Sequence, residues 1–315
     1  MTRNSGSQSL INQGVSIVLG TYNRKKFLQL TIDSVRKEIA SLKFPCEIIV
    51  IDGGSTDGTL GWLLKQKDII TIIQHNHGAW QGKKIQRRSW GYFMNLGFKC
   101  AQYKYICMLS DDCLVVPGAI RNGYNLFEEE LTKGSNTGGV AFYWRNWPDQ
   151  ELYWVGLTLD GKMTINHGMY LNKALQEVGY LDENFHFYFA DGDLCLKIWS
   201  KGYKIIDSGN SYIEHYSHAN IAVRNSNIQQ QNEDWAHYLQ KWQNIFYDPE
   251  QADTGNNIKK EFFDPDKTYR KFKSLHFLNI RHHIVYHAQK YFPRKLISVI
   301  KSIFNKTKKH VNIRK

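Results

Sequence analysis

The stretch CMLSDDC, residues 107–113, is a short apolar run interrupted by two adjacent aspartates, Asp111 and Asp112. Adjacent carboxylates repel each other unless a cation or a hydrogen-bonded ligand lies between them. Carboxylate oxygens are also the ligands that hard divalent cations such as Mg²⁺ and Mn²⁺ prefer. The pair therefore predicts an oxygen-rich metal site at the end of a strand.

Apolar runs and helical patterns alternate upstream of these aspartates. Residues 15–19 and 47–51 are typical of buried strands, and each is followed by turn residues and then by apolar residues at helical spacing. A third apolar run at 69–73 and a predicted helix at 90–101 precede the strand at 105–109. Strands that alternate with helices predict an α/β fold with a mostly parallel sheet.

Polar side chains follow three of these predicted strands. Thr21 follows the first strand, Asp52 the second, and the aspartate pair the last. In parallel sheets, ligands bind beyond the carboxyl ends of the strands, so these residues are expected to share one crevice. Asp52 suits a nucleotide as a hydrogen-bond acceptor, although Asp52 and Asp57 as mere turn and helix caps remain an alternative. The nearby glycines do not form G-x-G-x-x-G, which disfavours a nicotinamide or flavin site.

The composition indicates a globular protein in a reducing compartment. Hydrophobic residues make up 42% of the chain and aromatic residues 14%, which excludes a disordered chain. The cysteines are odd in number, lack C-x-x-C spacing and lie mostly in apolar segments, as reduced cysteines do. The opening residues lack the apolar core of a signal peptide, and no apolar run approaches the roughly 18 residues of a membrane span. We therefore expect a cytoplasmic protein.

The net charge of +12 belongs to the end of the chain. Residues 266–315 hold 14 Lys and Arg against one acid, which leaves 27 against 28 in residues 1–265. After Pro293, apolar residues recur at helical spacing among lysines, which is typical of a helix on an anionic membrane surface at the inner face of the cell membrane. A helix packed on its own domain or in an oligomer contact is an equal alternative. Nucleic-acid binding is disfavoured because no aromatic stacking platform accompanies the cations.

Four stretches in order resemble the successive motifs of the family 2 glycosyltransferases, which are inverting enzymes with the GT-A fold. They are VSIVLGTYNR at 15–24, EIIVIDGGSTDGT at 47–59, LSDD at 109–112, and LNKALQEVGYLDENFHFYFADGDLCLKIWSKGYKI at 171–205. The resemblance covers about residues 15–218. Motifs that match in the family's order are far more specific than any one of them alone.

The resemblance implies a Rossmann-like GT-A catalytic domain at 1–235, with its central sheet flanked by helices. Residues 15–115 would form its nucleotide-binding half and 116–235 its acceptor-binding half, followed by a basic helical extension at 236–315. The implied activity is metal-dependent, inverting transfer of a sugar from a nucleotide-diphosphate sugar to a glycan or glycolipid hydroxyl, in bacterial surface polysaccharide or glycolipid assembly. A nucleotidyltransferase on a related fold and a non-catalytic sugar-nucleotide or membrane-binding protein remain alternatives.

The resemblance also assigns donor-binding roles. The residues it places against the nucleotide are Thr21, Tyr22, Asn23, Asp52 and Asp111. Family members commonly carry an arginine that contacts the diphosphate, but Met94 stands at that position here. Another cation must balance the phosphate charge, and Arg88 is the predicted one, although a run of four cations is usually a solvated face.

The metal is expected on two residues. Asp112 matches the last acid of the family's D-x-D element, which implies that it binds Mn²⁺ or Mg²⁺. His215 matches a histidine that reaches back to the metal or diphosphate, and a purely structural histidine is the alternative. His75 and His77 lie in a turn-like context and are expected to be solvated.

The second half of the site centres on Asp191. It matches the family's general base, and its aromatic neighbours are expected to desolvate it and raise its proton affinity. Ala190 replaces the family's usual glutamate, which weakens inferences about the acceptor. Asp193 is expected to cap the following helix. The aromatic stretch at 141–156 is interpreted either as an acceptor wall or as core.

Overall fold

The computed structural model describes residues 12–146, 150, 152–216 and 230–250, together with the backbone of 259–262. The strands are β1 (Asn12–Thr21), β2 (Cys46–Asp52), β3 (Ile69–Ile73), β4 (Ala79–Trp80), β5 (Lys83–Lys84), β6 (Tyr103–Met108), β7 (Cys113–Val115), β8 (Thr137–Asn146), β9 (Tyr153–Gly156), β10 (Gly168–Leu171), β11 (Lys204–His215) and β12 (Lys259–Phe262). The helices are α1 (Lys25–Ile39), α2 (Thr59–Leu63), α3 (Trp90–Cys100), α4 (Ala119–Thr132), α5 (Asn172–Glu177), α6 (Ala190–Ser200) and α7 (Gln231–Trp242), with a 3₁₀ turn at Leu159–Gly161. The predicted α/β class is confirmed.

One large sheet carries the site. Its strand order is β12-β9-β8-β10-β6-β1-β2-β3, and β11 pairs with β7 and β8. The strands β6, β1, β2 and β3 are parallel neighbours, as predicted, and so are β8 and β11. The other described pairs of this sheet are antiparallel, so the sheet as a whole is mixed.

The central strands are buried on both faces, which explains their continuous apolar runs. In β1, Ile17 packs on the side of α1, whereas Val18 packs on the opposite side with α3 residues such as Phe98. Successive side chains of a strand point to opposite faces, so one apolar run serves both layers. The sheet is thus covered by helices on both faces, with the strand ends left open for a ligand.

Helix α7 packs on the core of the α/β domain. Its residues Tyr238 and Trp242 are buried in the same cluster as α6, and its Asp234 accepts hydrogen bonds from three backbone N–H groups at 186–188. The predicted boundary between 235 and 236 falls inside this helix. Phe246 and Tyr247 after the helix pack against the same cluster, so the packed unit continues to at least residue 247.

The predicted basic tail at 266–315 lies outside the described residues. None of the helices in the described part of the chain has the length and apolar composition that crossing a bilayer requires.

Candidate functional site

The ends of β1 and β6 meet, as the strand pattern predicts. Thr21 is the last residue of β1 and pairs in register with Asp52 at the end of β2. Its hydroxyl donates a hydrogen bond of 2.7 Å to Asp111 Oδ2. Thr21, Asp52 and Asp111 are all buried, so three of the predicted donor-binding residues lie at one edge of the sheet.

Asp52 both fixes a turn and keeps an oxygen for a ligand. Its Oδ1 accepts hydrogen bonds from the backbone N–H groups of Gly54 at 2.9 Å and Ser55 at 2.8 Å. Its Oδ2 is buried and has no hydrogen-bond partner among the described residues. A buried carboxylate oxygen without a partner is costly, which makes this atom a candidate for a ligand contact. Asp57 stabilises the turn before α2, because its Oδ1 accepts a hydrogen bond of 3.0 Å from the N–H of Thr59, the first residue of that helix.

The loop after β1 is anchored to the loop after β2. Asn23 has a positive φ of 54°, its N–H donates to Ser55 Oγ at 2.8 Å, and its Oδ1 accepts from the Thr56 N–H at 2.7 Å. Tyr22 stacks on His77 with ring centroids 4.4 Å apart. Asn23 therefore shapes the loop through its hydrogen bonds, and the Tyr22 ring lies on the exposed loop at 74–89.

Arg24 lies between the two adjacent aspartates, a position that the sequence did not predict. Its Nη1 is 2.8 Å from Asp111 Oδ1 and 2.7 Å from Asp112 Oδ2. Burial raises the pKa of Asp111; it also acts to raise that of Asp112, but the charges of Arg24 and His215 outweigh it and lower the pKa of Asp112 overall. The sequence did carry one indication of this role for Arg24, because Arg24 lies three residues after Thr21, just beyond the end of the same strand.

His215 faces the remaining oxygen of Asp112. In the β11–β7 pairing, His215 lies opposite Cys113, the residue after Asp112. Its Nε2 is 3.4 Å from Asp112 Oδ1, and its Nδ1 is 3.1 Å from Asn146 Oδ1. The structure thus brings together the two predicted metal ligands, Asp112 and His215.

These two side chains fit a cation that also binds the substrate. The described residues contain no group of three or more His, Cys, Asp or Glu that could hold a metal by itself. Asp112 Oδ1 is buried and accepts no hydrogen bond from any residue that the structure describes, which leaves a carboxylate oxygen available beside an imidazole. Mg²⁺ and similar cations are commonly held by one or two protein ligands together with substrate phosphates.

Asp191 lies in the first turn of α6, with a half-buried side chain. Its Oδ2 accepts a hydrogen bond of 2.6 Å from Asn166 Nδ2, and its Oδ1 accepts the Gly192 N–H at 2.9 Å. Burial raises the pKa of Asp191 even though both hydrogen bonds act to lower it. The shift has the predicted direction and suits a group that takes up a proton.

Asp193 does not cap α6, so that prediction was wrong. The side chain is fully buried, and its Oδ1 accepts from Trp242 Nε1 at 3.0 Å and lies 2.8 Å from Lys241 Nζ. The helix begins after Phe189 without a side-chain cap. Asp193 lies a full turn further on, where its side chain points to α7.

Trp144 connects the Asp112–His215 end of the site with Asp191. Its indole N–H donates to Asn166 Oδ1 at 3.3 Å, and its ring lies edge-on to His215 with centroids 5.3 Å apart. Across β8 and β9 it contacts Trp154, at 3.9 Å between centroids. A continuous series of contacts therefore runs from Asp112 to Asp191 through His215, Trp144 and Asn166.

The aromatic stretch at 141–156 divides between its two interpretations. Tyr143 and Tyr153 are core residues, whereas Trp144 and Trp154 are half-buried beside the site. Asn166 carried no local signal in the sequence, because its role depends on a contact with α6.

Arg88 is not brought to the other predicted residues. It lies on an exposed loop, and its guanidinium covers the Tyr92 ring at 5.2 Å from the centroid. Within the described ranges it makes no hydrogen bond or ion pair with the aspartates. Met94, at the family's arginine position, is buried in the core. The cation on the acidic pair is Arg24 instead. His75 and His77 are exposed, as predicted.

Comparison with known proteins gives a family match and a shared fold. A model described as glycosyl transferase family 2 matches residues 16–181, more than half of the chain. Chondroitin synthases of Pasteurella multocida (strain Pm70) and Escherichia coli are 27% identical over 110 residues and 29% over 117 residues. These matches cover 34% and 36% of this chain but only 10% and 15% of the synthases, so the chain corresponds to a small part of these relatives.

Solved structures share the fold at low sequence identity. Residues 1–349 of Staphylococcus aureus TarS match with a TM-score of 0.51 and 17% identity over 65% of this chain and 61% of that one. The mannosyltransferase PcManGT from Pyrobaculum calidifontis, in complex with GDP-Man and Mn²⁺, matches with a TM-score of 0.50 and 17% identity over 73% of this chain and 65% of that one. The predicted GT-A fold is confirmed.

Proposed function

The chain belongs to glycosyl transferase family 2, and from this we propose that it transfers a sugar from a nucleotide-diphosphate donor to an acceptor hydroxyl with inversion. Family membership decides for a glycosyltransferase over a nucleotidyltransferase or a non-catalytic binding protein. The observation that carries the detailed proposal is the series of contacts that joins Asp112 to Asp191. This series supports an acidic centre for the leaving group at one end of the crevice and a half-buried base at the other.

The donor nucleotide lies on the edge formed by β1, β2 and β6 in this proposal. Asp52 Oδ2, which has no partner among the described residues, accepts a hydrogen bond from the base or ribose. Thr21 and Asp111 border the same edge. The TarS structures in complex with UDP and UDP-GlcNAc and the PcManGT complex with GDP-Man support a nucleotide sugar as the donor class.

Asp112 Oδ1 and His215 Nε2 would hold a divalent cation, Mn²⁺ or Mg²⁺. When bound, the cation supplies Lewis-acid stabilisation of the negative charge on the leaving diphosphate. The Mn²⁺ in the PcManGT complex supports this choice. Arg24 keeps the second Asp112 oxygen and one Asp111 oxygen in place, and it supplies positive charge where Met94 supplies none.

Asp191 acts as the general base. Its carboxylate takes the proton from the acceptor hydroxyl while the acceptor oxygen forms a bond to the anomeric carbon. The bond from that carbon to the diphosphate oxygen breaks, and its electron pair leaves with the nucleoside diphosphate. A single displacement of this kind inverts the anomeric centre.

The acceptor in this proposal is a glycan or glycolipid of a bacterial surface. The two chondroitin synthases among the relatives support a glycan acceptor. The basic tail at 266–315 would bring the enzyme to an anionic membrane surface at the inner face of the cell membrane, through the attraction between its 14 cations and the lipid headgroups.

Thermal unfolding with a panel of nucleotide sugars, with and without Mn²⁺, tests this proposal. A donor at 100 times its dissociation constant stabilises the native state by about 2.7 kcal/mol. We expect one nucleotide sugar to raise the Tm in the presence of Mn²⁺. Release of nucleoside diphosphate is then measured with that donor and a chondroitin oligosaccharide as the acceptor probe. Asp191→Asn is expected to keep the Tm shift and to lose product formation; turnover at the wild-type rate would contradict the base assignment.

A further inference from the structure

Asn166 bridges the carboxyl of Asp191 and the indole of Trp144. Its Nδ2 donates to Asp191 Oδ2 at 2.6 Å, and its Oδ1 accepts from Trp144 Nε1 at 3.3 Å. An amide has a donor at one end and an acceptor at the other, whereas an indole nitrogen only donates. The indole therefore determines which end of the amide faces the carboxylate.

We propose that Asn166 is a positioning residue for Asp191 and that Trp144 holds the Asn166 amide in the orientation that donates to this carboxylate. The inference rests on the proposed function, in which Asp191 is the base. A general base must hold its accepting oxygen at a fixed place and distance from the hydroxyl. Asn166 anchors Oδ2 and the Gly192 N–H anchors Oδ1, so the plane of the carboxylate is fixed. Each oxygen retains a lone pair for the acceptor proton.

The other titratable groups near Asp191 determine how far its own ionisation can be followed in the pH dependence of activity. The titratable groups that interact with Asp191 are Tyr170 on β10, Tyr238 on α7 and Cys195 on α6 itself, and Asp193 lies two residues further along α6. Burial raises the pKa of both tyrosines and brings that of Cys195 to about 12, so these three stay neutral at neutral pH. Burial also raises the pKa of Asp193, even though this carboxylate is paired with Lys241.

Two histidines, His167 and His215, contact the ring of Trp144. Burial lowers the pKa of His167 to about 3, so this histidine stays neutral as well. An Asp191→Asn variant identifies the part of the acid limb that belongs to Asp191.

Three variants test the positioning role. Asn166→Asp keeps the shape of the side chain and the acceptor for the Trp144 indole, but it puts a second carboxylate oxygen in place of the amide donor. Asn166→Ala removes both the donor and the acceptor of the amide. Trp144→Phe replaces the indole by a phenyl ring and so removes the indole N–H. Asn166→Ala is expected to lower kcat about tenfold or more, as loss of a hydrogen bond to a charged group does. The acid limb of kcat/KM shifts to higher pH, because the lost bond stabilised the ionised carboxylate. Asn166→Asp shifts the limb further through like-charge repulsion, and Trp144→Phe shifts it less.

Asn172 offers a matched control. It is a buried asparagine whose Nδ2 donates to the Tyr103 carbonyl at 3.0 Å. Asn172→Ala is expected to lower the Tm without moving the acid limb. A readout without substrate comes from the ¹⁵N–¹H signals of the nine tryptophan indoles, with Trp144→Phe assigning the Trp144 signal. That signal is expected to follow the ionisation of Asp191 and to lose this response in Asp191→Asn.

The outcomes separate this inference from the proposed function. Wild-type kcat and an unmoved acid limb in Asn166→Ala and Asn166→Asp would overturn the positioning role, even where Asp191→Asn abolishes transfer. The positioning role would also be overturned if the variants lose activity, the acid limb of kcat/KM stays at the same pH, and the Trp144 signal does not respond to the ionisation of Asp191. A purely structural role gives that combination of results. Transfer at the wild-type rate by Asp191→Asn would refute the proposed base itself.

Discussion

Arg145 and Glu214 form a buried ion pair beside the Asp112–His215 end of the site. Replacing Glu214 by alanine tests whether this ion pair stabilises that end. The residues lie opposite each other on β8 and β11, so the next pair in register is Asn146 and His215. Arg145 Nε and Nη2 donate to the two carboxylate oxygens at 2.9 and 2.8 Å. Tyr153 OH donates to the same carboxylate at 2.5 Å.

The expected magnitude follows from the burial of the two charges. Arg145 is 2% exposed and Glu214 is fully buried, so Glu214→Ala leaves a guanidinium without its carboxylate in the interior. Breaking a buried pair in this way costs about 3–5 kcal/mol, which corresponds to roughly 10 °C in Tm. We also expect weaker Mn²⁺ binding, because His215 follows Glu214 directly.

A double variant tests whether the loss comes from removing only one charge of the pair. Burial raises the pKa of Glu214 even with Arg145 beside it, so desolvation outweighs the attraction within the pair. Arg145→Met combined with Glu214→Leu is therefore expected to recover most of the stability. Chemical denaturation of Arg145→Met, of Glu214→Leu and of the double variant gives the coupling energy.

The exposed ion pair between Lys133 and Glu129 is the control. Its side chains are 57% and 60% exposed, so Glu129→Ala is expected to cause no measurable loss. A loss below about 1 kcal/mol in Glu214→Ala, the range of exposed pairs, would refute the reasoning. If the double variant is as unstable as Glu214→Ala alone, the loss does not come from removing only one charge of the pair.

Three further predictions concern the charges of the site and of the tail. Asp112→Ala removes the oxygen that faces His215, so calorimetry should find donor binding that no longer depends on Mn²⁺; an unchanged Mn²⁺ dependence would exclude this ligand. Arg24→Met removes the cation between the two aspartates and should tighten Mn²⁺ binding while weakening donor binding at saturating Mn²⁺; a titration that shows neither change would contradict its role. Deletion of 266–315 removes 14 cations against one acid and should reduce sedimentation with anionic liposomes, which equal sedimentation of both forms would disprove.

Strand ends were predictable from the sequence because their positions follow from a regular pattern. Thr21, Asp52 and Asp111 each follow an apolar run, and parallel strands bring their carboxyl ends to one edge. Pairing of β11 with β7 then places His215 at Asp112. Parallel order does not extend through the whole sheet, because the C-terminal strands pair mostly antiparallel.

Residues that act through loops were not predictable in this way. Arg24 reaches the aspartates because Asn23 turns the loop with a positive φ, and a charge in a loop sequence does not specify that turn. Arg88 was predicted to contact the diphosphate because it belongs to a run of cations, but charge alone does not determine which direction a loop faces. Asn166 contacts Asp191 across 25 positions of sequence, and Asp193 meets α7 from further away. Each contact depends on tertiary packing that no local pattern records.

The charges at the acidic pair explain why donor binding should depend on a cation. Two carboxylates and one guanidinium leave a formal charge of minus one facing the crevice, and this charge repels a diphosphate. A divalent cation at Asp112 Oδ1 reverses the sign to plus one, and the crevice then attracts the donor. Arg24 alone cannot achieve this reversal, because it neutralises only one of the two aspartates. Because Met94 stands at the family's arginine position, we expect donor binding at the described part of this edge to require the cation.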